Sequence, residues 1–359
     1  MKGISSRQIA MAFTGSFLGA GFVSGQELLQ FFGVFGSFGL AGMVITILLL
    51  CVLSYFVMTI ANVTGIIEFE KIIVEKDKSL LRFIFGSVFI FFLFGVVIVM
   101  IAGAGALLNQ IFNVPKIAGS LLMVICLGLV ALRGAKGVLN AFCMTVPFLV
   151  VTTLIISILS FFYFGSGDLS PRPFSEENPL LGNWFFSMIA FASYNMMAAI
   201  SILVPIAPGV DDNRTIKTGI FRGVLQLIIV FTAILLPVIL YQSMIIDAEL
   251  PMLTLADKIH PALGVVYAIL LCFGMFGSAL SCLFGVTVRI RKMKNIEGNS
   301  LTVALLVIAF MASIAGFKNL IATLFPVCGY IGFFAMIGIT IHFISLHKKK
   351  DSALKETND

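Results

Sequence analysis

The chain has 359 residues, of which 60% are hydrophobic and only 11% charged, and its mean hydropathy is +1.11. A soluble domain carries about 25% charged residues, so a soluble fold of this length could not cover its surface. The same figures exclude a disordered chain, collagen, a disulfide scaffold and a coiled coil. What remains is an all-α polytopic membrane protein, and the 36 Phe and 33 Gly fit that class.

A spanning helix needs about 20 mostly apolar residues. In chain order the runs that qualify are approximately 8–33, 37–62, 82–112, 115–132, 137–162, 183–207, 217–243, 262–288, 299–316 and 319–346. The connectors at Gly36 and at Gly316-Phe317-Lys318 are short enough for tight turns. With the N-terminus inside, 19 of the 23 Lys and Arg fall on the inner side and only Lys116, Arg172, Lys258 and Lys318 on the outer. This bias is the positive-inside pattern, and it places both termini in the cytoplasm of a plasma-membrane protein. It also accounts for the net charge of +6 without nucleic acid as a partner. Lys2 and Arg7 before an apolar stretch could read as a signal peptide. The apolar run continues to Phe35, however, and the alternation needs this helix retained.

The first span reads Thr14-Gly15-Ser16-Phe17-Leu18-Gly19-Ala20-Gly21-Phe22-Val23-Ser24-Gly25-Gln26-Glu27. Its glycines and hydroxyls lower helical preference, and Gly19 to Gly21 fall near mid-membrane. Tight helix packing would also use such glycines. Glu27, placed about 9 Å further out by helical rise, and Gln26 tip the reading towards a site, because ionisable residues inside spans are usually functional. No strand precedes the glycines, so a dinucleotide fingerprint is excluded. In the sixth span Phe191-Ala192-Ser193-Tyr194-Asn195 lies at similar depth, and Pro205 and Pro208 end that helix. Corresponding interruptions in two halves point to an inverted-repeat transporter with its site between them. The halves are about 8–162 and 183–346, followed by a cytoplasmic tail at 347–359.

Weaker polar signals follow in the remaining spans. Span three has Gly103, Gly105 and Asn109; span five has Asn140, Thr145, Thr152 and Thr153. Span seven has Gln226, and span eight has Ser278 and Ser281. An isolated Ser or Thr in a helix usually bonds its own i−4 carbonyl. His342 is placed at the inner interface. The segment Ile67–Leu80 reads as a surface helix, and Gly165–Gly182 and Asp247–Pro261 read either as vestibule caps or as solvated loops. Cys51, Cys126, Cys143, Cys272, Cys282 and Cys328 lie in apolar runs, with no CxxC pair and no neighbouring His, so no metal centre or cofactor is expected. No nucleophile–base pair indicates an enzyme.

Ten spans with a Gly-rich first and a polar sixth resemble the amino acid–polyamine–cation superfamily and its LeuT-type five-plus-five inverted repeat. More narrowly, Gly19-Ala20-Gly21-Phe22-Val23-Ser24-Gly25-Gln26-Glu27 resembles the start of YkvI-like bacterial membrane proteins. The resemblance implies symport of an amino acid or a similar zwitterion, driven by H⁺ or Na⁺. It implies broken first and sixth helices, with Gly19, Ala20 and Gly21 at the substrate carboxylate and Phe22 in the substrate site. Ser193, Tyr194 and Asn195 would complete the pocket, and Tyr194 or Phe191 would shield it. Na⁺ in relatives sits by two adjacent hydroxyls of the eighth helix; here Ser278 and Ser281 supply half of that pattern, since Cys282 follows Ser281. Glu27, the one acid inside a span, is the expected proton-coupling or gating group, with Lys318 as its charged partner. The alternative on the same scaffold is a solute sensor or germinant-receptor-like subunit.

Overall fold

A computed structural model describes the backbone of residues 3–74, 79–133, 136–165, 167, 178–294 and 299–356, and their side chains except at 20, 133, 136–146, 292–294 and 349–356. Expectations placed on Arg172, the segment 168–177, and the side chains of Ala20, Lys136, Asn140, Cys143 and Thr145 lie outside the described residues.

The first span is three pieces: α1 (Ser6–Phe17), α2 (Ala20–Val23) and α3 (Gln26–Phe31). Ser5 starts α1 by accepting from the Gln8 amide, while the Gln8 side chain accepts from the Ser5 N–H. There follow α4 (Ser37–Thr64), α5 (Phe69–Ile73), α6 (Ser79–Phe112), α7 (Lys116–Arg133) and α8 (Lys136–Phe164). The second half holds α9 (Trp184–Ile206), α10 (Asn213–Leu240), α11 (Gln242–Ile245) and α12 (Pro251–Ile259). It closes with α13 (Pro261–Lys294), α14 (Ser300–Ser313) and α15 (Phe317–Glu356). Among the described residues seven helices are long and apolar enough to cross a membrane. The shorter apolar α7 and α14 and the broken first span complete the ten expected passes. Residues 347–356 continue α15 as helix.

The packing follows the expected five-plus-five relation. α1 meets α9, α4 meets α10, α6 meets α13 and α7 meets α14, each pairing the same member of the two halves. The cross pairs also match, since α1 packs on α10 as α4 packs on α9.

The structure corrects three expectations. The sixth span is not broken: α9 runs unbroken from Trp184 to Ile206, and irregularity begins only at the 3-10 turn Ala207–Gly209. It contains no glycine, and two of its polar side chains close bonds on their own helix, Ser193 Oγ to the Ile189 carbonyl and Asn195 Nδ2 to the Phe191 carbonyl. The Ile67–Leu80 segment is not a surface helix: α5 is five residues long and wedged into the bundle, with Phe69, Ile72 and Ile73 buried. His342 is likewise interior, its Nδ1 2.8 Å from the Ile72 carbonyl.

Helices α9 and α15 pack closely through glycines of α15. A β-carbon at Gly329 would overlap the Ala190 backbone, and one at Gly332 would stand 3.1 Å from the Ser193 carbonyl. Gly329→Val should therefore cost on the order of 1–3 kcal/mol by overpacking, read as a lower unfolding temperature in detergent. Gly182→Ala, with open space around it, should leave that temperature unchanged.

Candidate functional site

A cavity of about 1010 Å³ starts at the first helix break and runs to the face that carries the N-terminus. Its inner wall is Gly15, Ser16, Gly19, Gly21 and Glu27 of the first span, with Tyr194 and Asn195 of α9. Met100 and Phe92 of α6, Ser278, Ser281 and Cys282 of α13, and Phe325 of α15 complete it. Along α9 the lining continues from Tyr194 to Ile202, and along α13 from Ser278 to Arg289. At helical rise these stretches are about 12 and 16 Å, so the cavity reaches from mid-membrane to the surface.

Its blind end is built by the way the first helix breaks. The inner break falls at Leu18-Gly19 and opens onto the cavity; the outer falls at Ser24-Gly25, where Gly25 takes φ +85°, a conformation that favours glycine. Buried backbone groups freed this way need partners. The Ser24 hydroxyl donates to the Gly21 carbonyl at 2.7 Å, and the Tyr267 hydroxyl donates to the Val23 carbonyl at 2.7 Å. The Met252 N–H of α12 donates to the Ser24 carbonyl at 3.0 Å, and Ser187 Oγ donates to the Phe31 carbonyl at 2.7 Å. Asp247–Pro261 is thus a cap, with Pro251 and Met252 seated on Gly25. Phe22, Phe31, Phe32, Phe191 and Phe231 close the same side as a buried aromatic block, with neighbouring ring centroids 4.9–6.3 Å apart.

Glu27 does not point outward to Lys318. The helix is interrupted at Gly25, and the Glu27 carboxylate, 6% exposed, lies against Gly21. Tyr194 Oη donates to Glu27 Oε2 at 2.6 Å. A β-carbon at position 21 would overlap Glu27 Oε1, so a larger residue there would have to displace the carboxylate. Lys318 is half-buried in the first turn of α15 and forms no ion pair with Glu27.

Of the residues expected at the site, the structure brings Gly19, Gly21, Glu27, Tyr194, Asn195, Ser278 and Ser281 to one cavity. Phe22 and Phe191 belong to the aromatic block behind it, and Ser193 faces α15, its Oγ 3.3 Å from Met336 sulfur. Tyr267 was missed, although a phenol inside the apolar eighth span was legible as a polar outlier. At the mouth, Arg289 pairs with Glu70 and lies over the rings of Phe69 and Phe89, its Cζ 4.4 and 5.7 Å from their centroids. Lys71 pairs with Glu68 at 2.9 Å. These pairings depend on the embedded position of α5, which the sequence pattern did not indicate.

No family model matches the chain. Two proteins of Bacillus subtilis (strain 168) are similar along nearly their whole length. The uncharacterized membrane protein YkvI is 25% identical over 342 residues, covering 93% of this chain and 94% of the relative. The uncharacterized protein YyaD is 27% identical over 337 residues, covering 91% and 94%. The chain is YkvI-like. Solved structures of a manganese transporter from Eremococcus coleocola, one in complex with an aromatic bis-isothiourea substituted compound, superpose with a TM-score of 0.60 at 15% identity. They cover 94% of this chain and 85% of theirs, which shows a shared fold. Together with the apolar helices, these likenesses make it a multi-pass membrane protein that shares the fold of that transporter.

A double-mutant cycle over Glu27→Gln and Tyr194→Phe, read by thermal unfolding in detergent, should return a coupling of about 0.5–3 kcal/mol, as expected for side chains in direct contact. Strictly additive losses would separate the two groups. Gly21→Ala should lower the unfolding temperature too, and combining it with Tyr194→Phe should cost less than the sum.

Proposed function

We propose that the protein is a secondary active transporter that moves a small amine-bearing solute across a bacterial plasma membrane by ion-coupled alternating access. The observation that carries the reading is the asymmetry of the cavity. It opens to the terminus-bearing face and is stopped at mid-membrane by α12, the aromatic block and the closed bonds of the outer break. By the distribution of Lys and Arg that face is the cytoplasm, so the conformation is inward-facing.

Alternating access also gives a reason for the polar groups left unpaired in the closed half. Among the described residues, both amide atoms of Gln26 and the Nε2 of Gln242 are buried without a partner. Such groups cost about 1–3 kcal/mol each, a cost removed when the outer half opens to water. A closed state that stores this cost is poised to exchange with an open one. Ser278 and Ser281 remain the candidates for a Na⁺ contact, and Glu27 for a proton. Among the described residues no group of three or more His, Cys, Asp or Glu comes together.

Cys282 gives the direct test, because its thiol lines the cavity. In a variant with Cys51, Cys126, Cys143, Cys272 and Cys328 replaced by Ala, a membrane-impermeant maleimide should label Cys282 from the cytoplasmic side at least tenfold faster than from outside. A bound solute should slow the reaction. Equal labelling from both sides would remove the inward-facing reading. In proteoliposomes a transporter concentrates its solute against a gradient, whereas a sensor binds it without accumulation.

A further inference from the structure

The charges that line the cavity fall in two places. At the mouth, Lys71 and Arg289 are engaged by Glu68 and Glu70, and Arg82 donates to the Val74 carbonyl. At the blind end the one charged side chain among the lining residues is Glu27. The groups around it are neutral: the Tyr194 hydroxyl, the Asn195 amide, the Ser278 and Ser281 hydroxyls, and Met100. Aromatic rings stand around its partner, Tyr194. Phe325 stacks on the Tyr194 ring at 4.9 Å and 21°, Phe92 lies 6.3 Å from the same ring, and all three line the cavity.

A buried carboxylate beside aromatic faces is complementary to a cation, by charge and by the ring quadrupoles. It is not complementary to the carboxylate of an α-amino acid. That group sits within a few ångströms of its ammonium and would be held near Glu27 with no basic side chain to answer it. The helix pieces at the break are too short to compensate, since α2 has four residues and α3 six.

We propose, resting on the transport reading above, that the blind end selects an organic ammonium cation without an adjacent carboxylate, and that this cation and a proton compete for Glu27. The step balances as an exchange: the protonated carboxyl gives up its proton to water as the ammonium arrives, leaving a carboxylate–ammonium pair of the same net charge. One carboxylate can hold one or the other, so each crossing carries either a proton or the cation. Coupling is therefore one-for-one exchange rather than symport. Few groups can disturb this competition. Tyr194 of α9 is the titratable group in contact with Glu27. Of the other elements packed on α3, α2 has no titratable side chain, and α10 carries Arg214, Lys217 and Arg222 in its first three turns at the opposite face. α15 brings Lys318 at its outer start and Cys328 and Tyr330 further along, and its Asp, Glu, His and further Lys lie at the opposite end.

Butyltrimethylammonium is the probe, because it has no neutral form that crosses a bilayer unaided. With the purified full chain, calorimetry in two buffers of different ionisation enthalpy should show about one proton released per cation bound at acidic pH. The apparent affinity should weaken as pH falls, approaching about tenfold per pH unit for a single competing proton. Glu27→Gln should bind at least tenfold more weakly and lose the pH dependence; Glu27→Asp, which keeps the acid, should retain proton release. Phe325→Leu should weaken binding several-fold with the pH dependence intact. In proteoliposomes loaded with a pH dye, external probe should alkalinise the lumen.

Binding without proton release would overturn the proposal, as would a pH dependence unchanged in Glu27→Gln. If leucine accumulates while the probe neither binds nor competes, the exchange proposal falls and transport stands. Proton-releasing binding with no alkalinisation of the lumen would support the shared site and remove the transport reading.

Discussion

In the apolar interior of a membrane protein an opened backbone must find new partners for every group it frees, and the first helix is opened twice within eight residues, at Leu18-Gly19 and at Ser24-Gly25. Much of the surrounding structure answers that demand. Tyr267 reaches in from α13 to the Val23 carbonyl, α12 folds down so that Met252 can donate to Ser24, and Ser187 of α9 takes the Phe31 carbonyl. These partners come from three different elements, so sealing the backbone also sealed the outer half of the molecule. The inner break has no comparable cover, and the residues around it face the cavity. One covalent stretch is thus plugged on one side and open on the other.

The same logic explains why the sixth span stayed whole. Its polar residues were read as a counterpart to the first-span break, but polarity alone does not open a helix. Ser193 and Asn195 bond carbonyls four residues back, as hydroxyl and amide side chains in apolar helices commonly do. What opens the first span is glycine at the places where the chain must turn, above all Gly25. The contrast between the two spans was present in the sequence, four glycines against none, and weighing backbone freedom above side-chain polarity would have separated them.

The topology was the most legible layer. Hydropathy placed the start of every pass within four residues of the observed helix, although α13 and α15 run six and ten residues past their expected ends, and the tight turn at Gly316 appears with φ +87°. The pairing of like members of the two halves followed from the count of passes. Side-chain neighbourhoods were less accessible. Lys318 was paired with Glu27 because both were charges near the outer ends of spans, a judgement that treated the first helix as straight. α5 was given to the surface because its charges alternate with apolar residues. In the bundle its apolar face is buried, while Glu70 and Phe69 turn to Arg289. No local pattern records which distant helix supplies that arginine.

The position of Glu27 shows what a bend adds that spacing cannot reveal. On a continuous helix, residues 21 and 27 would be about 9 Å apart along the axis and on different faces. The left-handed conformation at Gly25 interrupts the helix, and the carboxylate lies against Gly21, the one place on α2 where no side chain stands in the way. The two glycines therefore act together: one turns the chain, and the other leaves room for the group it delivers. Tyr194 then fixes the carboxylate from the opposite half of the molecule. The acid thereby spans the interface between the two repeats, where relative motion of the halves must alter its surroundings. A charge held in that way senses the conformational change directly, with no relay of intervening side chains.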